Sequence, residues 1–184
     1  MCAQMTQPRQ PVLWRRRVTR RHPPQQLVGL ARPLKPLPSP IEHVGSTAVP
    51  GLRAKPVVDI LAQVVSLADA QASIDVLTAD DWLFWPDDPN RDYRLWFLRP
   101  RPEARTHHLH VIQHDHPAAR DELVFRDVLR KDPAVREAYA ALKDRLAVQH
   151  RTDRDAYTDA KSDFIRSVLR AADATSRKPL TGSI

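Results

Sequence analysis

A single carboxylate stands inside an apolar run, Val57-Val58-Asp59-Ile60-Leu61. Near-continuous Val/Ile/Leu runs form strands covered on both faces, and a carboxylate there is costly to bury without a partner. Asp59 is therefore either paired to a base, with Lys55 and Lys161 as candidates, or holding a metal. Upstream, Gly45-Ser46 ends a short extended stretch. A small pair at a strand end lets a phosphate approach the backbone, whose oriented N–H groups bind anions; the same pair also makes an ordinary tight turn. His108 and His110 alternate along a third segment, so their imidazoles point one way, roughly 6–7 Å apart. They could bind a phosphate or substrate, act as simple hydrogen-bonded polar residues, or join Asp59 in a two-histidine, one-carboxylate metal set.

Near the C-terminus, Tyr157, Ala160, Phe164, Ile165, Val168 and Ala172 repeat at spacings of three and four, the apolar stripe of an amphipathic helix. Lys161 lies inside that stripe. Lysine is almost never fully buried unpaired, so its ammonium must meet an acid, a phosphate or a cavity, or snorkel past the core edge. Arg126 and Arg130 sit four apart in Phe-Arg-Asp-Val-Leu-Arg. They could clamp a phosphate, or Arg126 could pair with Glu122, or both could lie on a solvated face. Arg94 and Arg99 are weaker candidates of the same kind. Only four glycines occur, with no phosphate-binding Gly-rich loop, dinucleotide fingerprint or nucleophile elbow. Kinase, dehydrogenase and serine-hydrolase chemistries fall away.

The elements that must position these groups can be placed in order. Ile41–Val44 and Val57–Val65 read as strands, and Ser66 as the cap of a helix over 67–77. A short strand is expected at Trp82–Trp85, a second at Arg94–Arg99 ended by Pro100 and Pro102, and a third over 107–113. On that last strand His108, His110 and Ile112 face one way, and His107, Leu109 and Val111 the other. The final third reads as helical. One helix covers 117–130, and a second opens at Asp132-Pro133 with Val135, Tyr139, Leu142 and Leu146 at helical spacing. A single last helix runs from Asp153 to about Ala172, with a tail over 173–184. Strands interleaved with and followed by helices imply an α/β (α+β) domain, a mixed β-sheet flanked by helices.

Charge is unevenly spread. The 184-residue chain carries a net +7, yet residues 1–40 hold eight basic and no acidic residues together with eight of the 17 prolines. That leaves 21 basic against 22 acidic residues in 41–184, so nucleic acid is not an expected partner of the globular part. The first forty residues read as a basic, proline-rich segment that is disordered or loosely packed. They lack the apolar core of a secretory signal, and no run reaches the roughly 18 apolar residues a membrane span needs. The lone cysteine, Cys2, excludes an internal disulfide and fits a reducing cytoplasm.

The string Glu42-His43-Val44-Gly45-Ser46-Thr47-Ala48-Val49-Pro50-Gly51-Leu52, followed by Ala54-Lys55-Pro56-Val57-Val58-Asp59-Ile60, resembles the signature of the GrpB-like family. His108-Leu109-His110-Val111, Phe125-Arg126-Asp127-Val128-Leu129-Arg130 and the Tyr157/Lys161 segment fit in the same order, so the resemblance covers about 41–172. It implies the nucleotidyltransferase superfold, whose members hold nucleotide phosphates on a Gly-Ser turn and share divalent metals between two strand carboxylates. Here Leu61 stands at the second carboxylate's position. The family also occurs fused behind bacterial dephospho-CoA kinases, which implies a functional link to that enzyme. Its members carry an N-terminal Trp-containing segment and helix. Only Trp14 and the 27–30 stretch match these, as a misassigned start or frame error in residues 1–40 would produce. The expected ligand contains phosphate, as a nucleotide or coenzyme A precursor does, bound with Mg²⁺ or Mn²⁺. Gly45, Ser46, Lys55, His108, His110 and Arg126 are the expected ligand contacts. Asp59, His108 and His110 are the expected metal set, and Asp59 and Lys161 the catalytic pair of a nucleotidyl transfer. The alternative is a non-catalytic binding or accessory module.

Overall fold

The apolar runs form the middle of one five-stranded mixed sheet. The computed structural model describes residues 33–34 and 36–176; the expectations for residues 1–32 and for the end of the tail lie outside them. The strands are β1 (Glu42–Val44), β2 (Val58–Val64), β3 (Leu83–Phe84), β4 (Arg94–Arg99) and β5 (His107–Gln113), in spatial order β1-β2-β5-β4-β3. β2 and β5 run parallel, and the other neighbours are antiparallel. The mixed sheet, its flanking helices and the helical last third follow the sequence expectation.

Alternation along the strands separates two faces. Val58, Ile60, Ala62 and Val64 of β2 join Leu109, Val111, Leu95 and Phe97 in one core cluster. It is covered by helices α1 (Leu67–Ala70) and α2 (Ser73–Ala79), the first capped by Ser66, whose hydroxyl accepts from the Asp69 N–H. The expected single helix over 67–77 is thus two short ones. Leu34 is 2% exposed in this cluster, with Leu37 and Ile41 packed on it. The described part of the proline-rich segment therefore contributes to the core before residue 41.

The opposite face carries Asp59, Leu61, His108, His110 and Ile112, and the C-terminal helices cover it. They are α3 (Pro117–Lys131), α4 (Pro133–Gln149), α5 (Arg154–Asp159) and α6 (Ser162–Ser176). Asp132 accepts from the N–H groups of Ala134 and Val135, and Asp153 from that of Ala156, which satisfies first-turn donors that a helix leaves open. The expected single helix from Asp153 is broken. After α5 the chain turns at Ala160-Lys161 and restarts, the Lys161 carbonyl accepting from the Ile165 N–H at 3.1 Å. The break lets Tyr157 pack with Leu146 and Ala147 at the end of α4, while Phe164 stacks on Tyr139. α6 also continues to Ser176, beyond the expected tail boundary at 173.

Arg126 ties the two layers together. Its guanidinium donates to Glu42 Oε2 (2.7 Å), to the His43 carbonyl (3.1 Å) and to both oxygens of Asp127. The expected Glu122 pairing gives way to Glu42 and Asp127, and the donors expected to clamp a phosphate are engaged in fastening β1 to α3. Removing the guanidinium as Arg126→Met takes a donor from two carboxylates, leaving Asp127 only its 3.4 Å contact with Arg130. Since both reach solvent, the cost should be about 2–3 kcal/mol rather than the ~3–5 of a fully buried pair. Urea unfolding checks this, and a loss below ~0.5 kcal/mol, as at an ordinary surface position, would contradict it.

Candidate functional site

Register places Asp59 beside His108 on the parallel β2–β5 pair, and His108 Nδ1–H donates to Asp59 Oδ1 at 2.9 Å. Burial by itself would raise the Asp59 carboxyl. That is the largest single effect, but the His108 hydrogen bond together with the charges of His108, His110 and Lys161 outweighs it and holds the carboxyl below the usual carboxylate value. On its other side lies Gly45. A Cβ built there would stand 2.3 Å from Asp59 Oδ2, and the residue adopts φ +68°, a conformation natural to glycine. Glycine at 45 lets the turn backbone close over the carboxylate.

Two places along β5, His110 Nδ1–H donates to Glu122 Oε1 of α3 at 2.7 Å. Glu122 was an expected partner for Arg126; it instead orients an imidazole, and its Oε2 is buried with no hydrogen-bond partner among the described residues. Trp96 of β4 meets His108 edge-on with ring centroids 5.4 Å apart. Asp59, His108 and His110 each present a ligand atom within 4.8 Å of the others. Two imidazoles with one carboxylate suit a transition ion, whereas Mg²⁺ selects oxygen donors, so the set fits Mn²⁺ better than Mg²⁺. Glu122, on the Nδ1 side of His110, matches the outer-shell carboxylate that orients a metal-binding imidazole, whereas the carboxylate on His108 is Asp59 of the set itself. Leu61, 0% exposed, lies level with His110, where a second carboxylate would have to stand.

Gly45 leads into a single 3-10 turn, Ser46–Ala48. Thr47 pins it, its hydroxyl donating to the Val57 carbonyl (3.0 Å) and contacting His43 Nε2 at 3.0 Å. Beneath Ser46 is a group absent from the sequence expectation. Lys143 of α4, 2% exposed, donates from Nζ to Ser46 Oγ at 3.2 Å and to the Arg53 carbonyl at 2.5 Å. Burial, reinforced by the charge of Lys161, lowers it to about 7. Its ammonium lies 5.0 Å from the centroid of Tyr139, a phenol pushed up to about 12 by burial and hydrogen-bonded to Ser46. Lys161 and Lys55 approach the Tyr157 ring at 4.5 and 5.2 Å, and burial raises that phenol too. A signal for Lys143 was present: it lies four residues after Tyr139 and three before Leu146, inside an apolar stripe, as Lys161 was expected to lie.

The structure thus gathers Gly45, Ser46, Lys55, Asp59, His108, His110 and Lys161 around the turn and adds Lys143, Tyr139 and Glu122. Arg94 and Arg99 go elsewhere, while Arg130 stays at the end of the Ser46–Ala48 turn. Arg94 grips Asp88 with two bonds of 2.8 Å, Arg99 lies over Trp82 near Asp80 and Asp81, and Arg130 donates to the Ala48 carbonyl.

A family model described as GrpB protein matches residues 14–171. The match begins well before residue 41, the expected start of the resemblance. A UPF0157 protein of Pseudomonas aeruginosa is 41% identical over 148 residues, covering 78% of this chain and 59% of that protein. A dephospho-CoA kinase of Mycolicibacterium paratuberculosis is 32% identical over 166 residues, covering 76% of this chain and 41% of that protein. The chain therefore spans only part of the length of these relatives. The crystal structure of a conserved protein GrpB from Enterococcus faecalis superposes with a TM-score of 0.73 at 29% identity, covering 84% of this chain and 92% of that one. Among the described residues no helix is long and apolar enough to cross a membrane.

The close approach at Gly45 can be separated from its backbone strain by comparison with Gly51. Gly51 has φ +79° with no atom within 4 Å of an added Cβ. Gly51→Ala should cost only the ~1–2 kcal/mol of a left-handed alanine. Gly45→Ala should cost more in urea unfolding, because Asp59 must also move. Equal losses would contradict the packing described.

Proposed function

The chain belongs to the GrpB family, and we propose that it binds a small phosphate-bearing ligand, a nucleotide or a coenzyme A precursor, on the Gly45-Ser46 turn. The ligand is accompanied by Mn²⁺ or Mg²⁺ on Asp59, His108 and His110. The observation that carries this reading is the gathering of Lys55, Lys143 and Lys161 around two tyrosines beside that turn. Like charges brought together in a partly dry pocket raise one another's cost, and an anion offsets it. Ser46 hydroxyl and the turn backbone supply neutral donors, and the lysines supply charge. A coenzyme A precursor is suggested by the relative named dephospho-CoA kinase.

A bound cation would supply Lewis acidity toward the phosphate. The chain's own groups orient it: Asp59 holds His108, Glu122 holds His110, and Lys161 offsets negative charge on the ligand. Nucleotidyl transfer is the reaction this arrangement approaches most closely. Leu61 favours the second reading, a binding or accessory module, because two-ion catalysis requires ligands that clamp both ions and an apolar side chain fills that position.

Thermal unfolding against ADP, ATP and dephospho-coenzyme A, with and without Mn²⁺ or Mg²⁺, tests the proposal. A ligand at about 100 times its Kd should add ~2.7 kcal/mol to stability. The cation-dependent part should vanish in Asp59→Asn, and Mn²⁺ should exceed Mg²⁺. Absence of any shift would overturn the ligand class. Release of pyrophosphate by the wild type, lost in Asp59→Asn, would select transfer over binding alone.

A further inference from the structure

Lys143 belongs to no part of the chemistry the sequence suggested, yet it is the most deeply buried lysine of the pocket. Its Nζ stands one hydrogen bond behind Ser46 Oγ, so a phosphate that accepts from the Ser46 hydroxyl lies one group away from it. The groups facing it come from every surrounding element: Ser46 from the turn, Arg53 from the loop before β2, Tyr139 and Asp144 from its own helix, and Lys161 from the α5–α6 break. Arg53 and Asp144 are themselves paired, which moderates their opposing effects on Lys143. We propose that Lys143 takes up a proton when a phosphate-type anion docks on the Ser46 turn, so that it sets the affinity of the site and makes binding proton-coupled. This rests on the ligand class proposed above.

The physical basis is simple. In the free protein burial and the Lys161 charge lower Lys143 to about 7, so at pH 8 most molecules carry the neutral amine. The Ser46 hydroxyl can then donate to that amine. An anion about 5 Å away, in surroundings of effective dielectric ~20, favours the ammonium by more than a hundredfold. The proton enters Nζ, Lys143 turns donor toward Ser46, and the Ser46 hydroxyl is released to donate to the ligand. Below pH 7 the ammonium is already present and no proton is needed.

Inorganic sulfate, which does not titrate in this range, is the probe. Calorimetric titration of the full chain in buffers of different ionisation enthalpy counts the protons bound. At pH 8 wild type should take up close to one proton per sulfate, and at pH 5.5 almost none. Affinity should fall about tenfold per pH unit above 7. Lys143→Met should bind more weakly, with the uptake abolished and the pH dependence flattened. A merely structural role for Lys143 would leave the proton count unchanged. Should that variant not fold, the Lys143 Cε/Nζ resonances of the wild type give the same answer, titrating near pH 7 alone and above pH 8.5 with sulfate. Sulfate binding without proton uptake, or uptake that persists in Lys143→Met, overturns the inference while leaving the ligand class standing. Failure of sulfate to bind at any pH removes both.

Discussion

An ionised, partly buried carboxylate one residue into a largely buried strand constrains everything around it. Asp59 cannot be moved to solvent without breaking the β2 pattern that places Ile60, Ala62 and Val64 in the core, and it cannot be left without a donor. The solution uses register. The parallel partner offers His108 at the same level, and the absence of a side chain at Gly45 lets a turn close on the far oxygen. The fold is therefore obliged to keep β1, the turn, β2 and β5 in one fixed relation. That relation leaves Ser46 at the rim of the carboxylate.

Charged groups are sorted by chemistry around this centre. The planar guanidiniums of Arg94 and Arg126 grip carboxylates with several bonds each, the geometry their fork favours, and so hold elements together. Three lysines, whose compact charge shifts its protonation readily on burial, line the turn and the tyrosines. Helices α4 and α5 bring Lys143 to Ser46 and Tyr157 to Lys161, while Glu122 of α3 reaches His110. The site thus brings two imidazoles and a carboxylate close to three amines and two phenols.

Much of the fold was legible. The strand limits 94–99 and 107–113 and the Asp132-Pro133 helix start were readable because each is marked by local chemistry: alternation, a proline, a cap. Less legible were features decided by tertiary packing. The stripe from Tyr157 to Ala172 reads as one helix, but Tyr157 and Phe164 serve different clusters, and the break at Lys161 reconciles them. Arg126 looked like a phosphate ligand because its spacing from Arg130 is visible and its partner Glu42, 84 positions away, is not. Lys143 was marked by its place inside the apolar stripe of Tyr139 and Leu146, but its partner Ser46, like the His110 partner of Glu122, comes from contacts that no local pattern encodes. The candidate site was read from its turn and strands, and its helical wall came only with the structure.

The central claim is that Asp59 is held ionised by the His108 Nδ1–H. Carbon-13 NMR of the Asp59 carboxyl during an acid titration tests it most directly. The account predicts a midpoint below the ordinary aspartate value of about 3.9, rising when His108 is replaced by Gln or Phe. Because a lowered value stabilises the native state at neutral pH, that contribution should be lost as pH falls through the native midpoint. A midpoint at or above the ordinary value would contradict the account: burial would then outweigh the histidine's hold on Asp59.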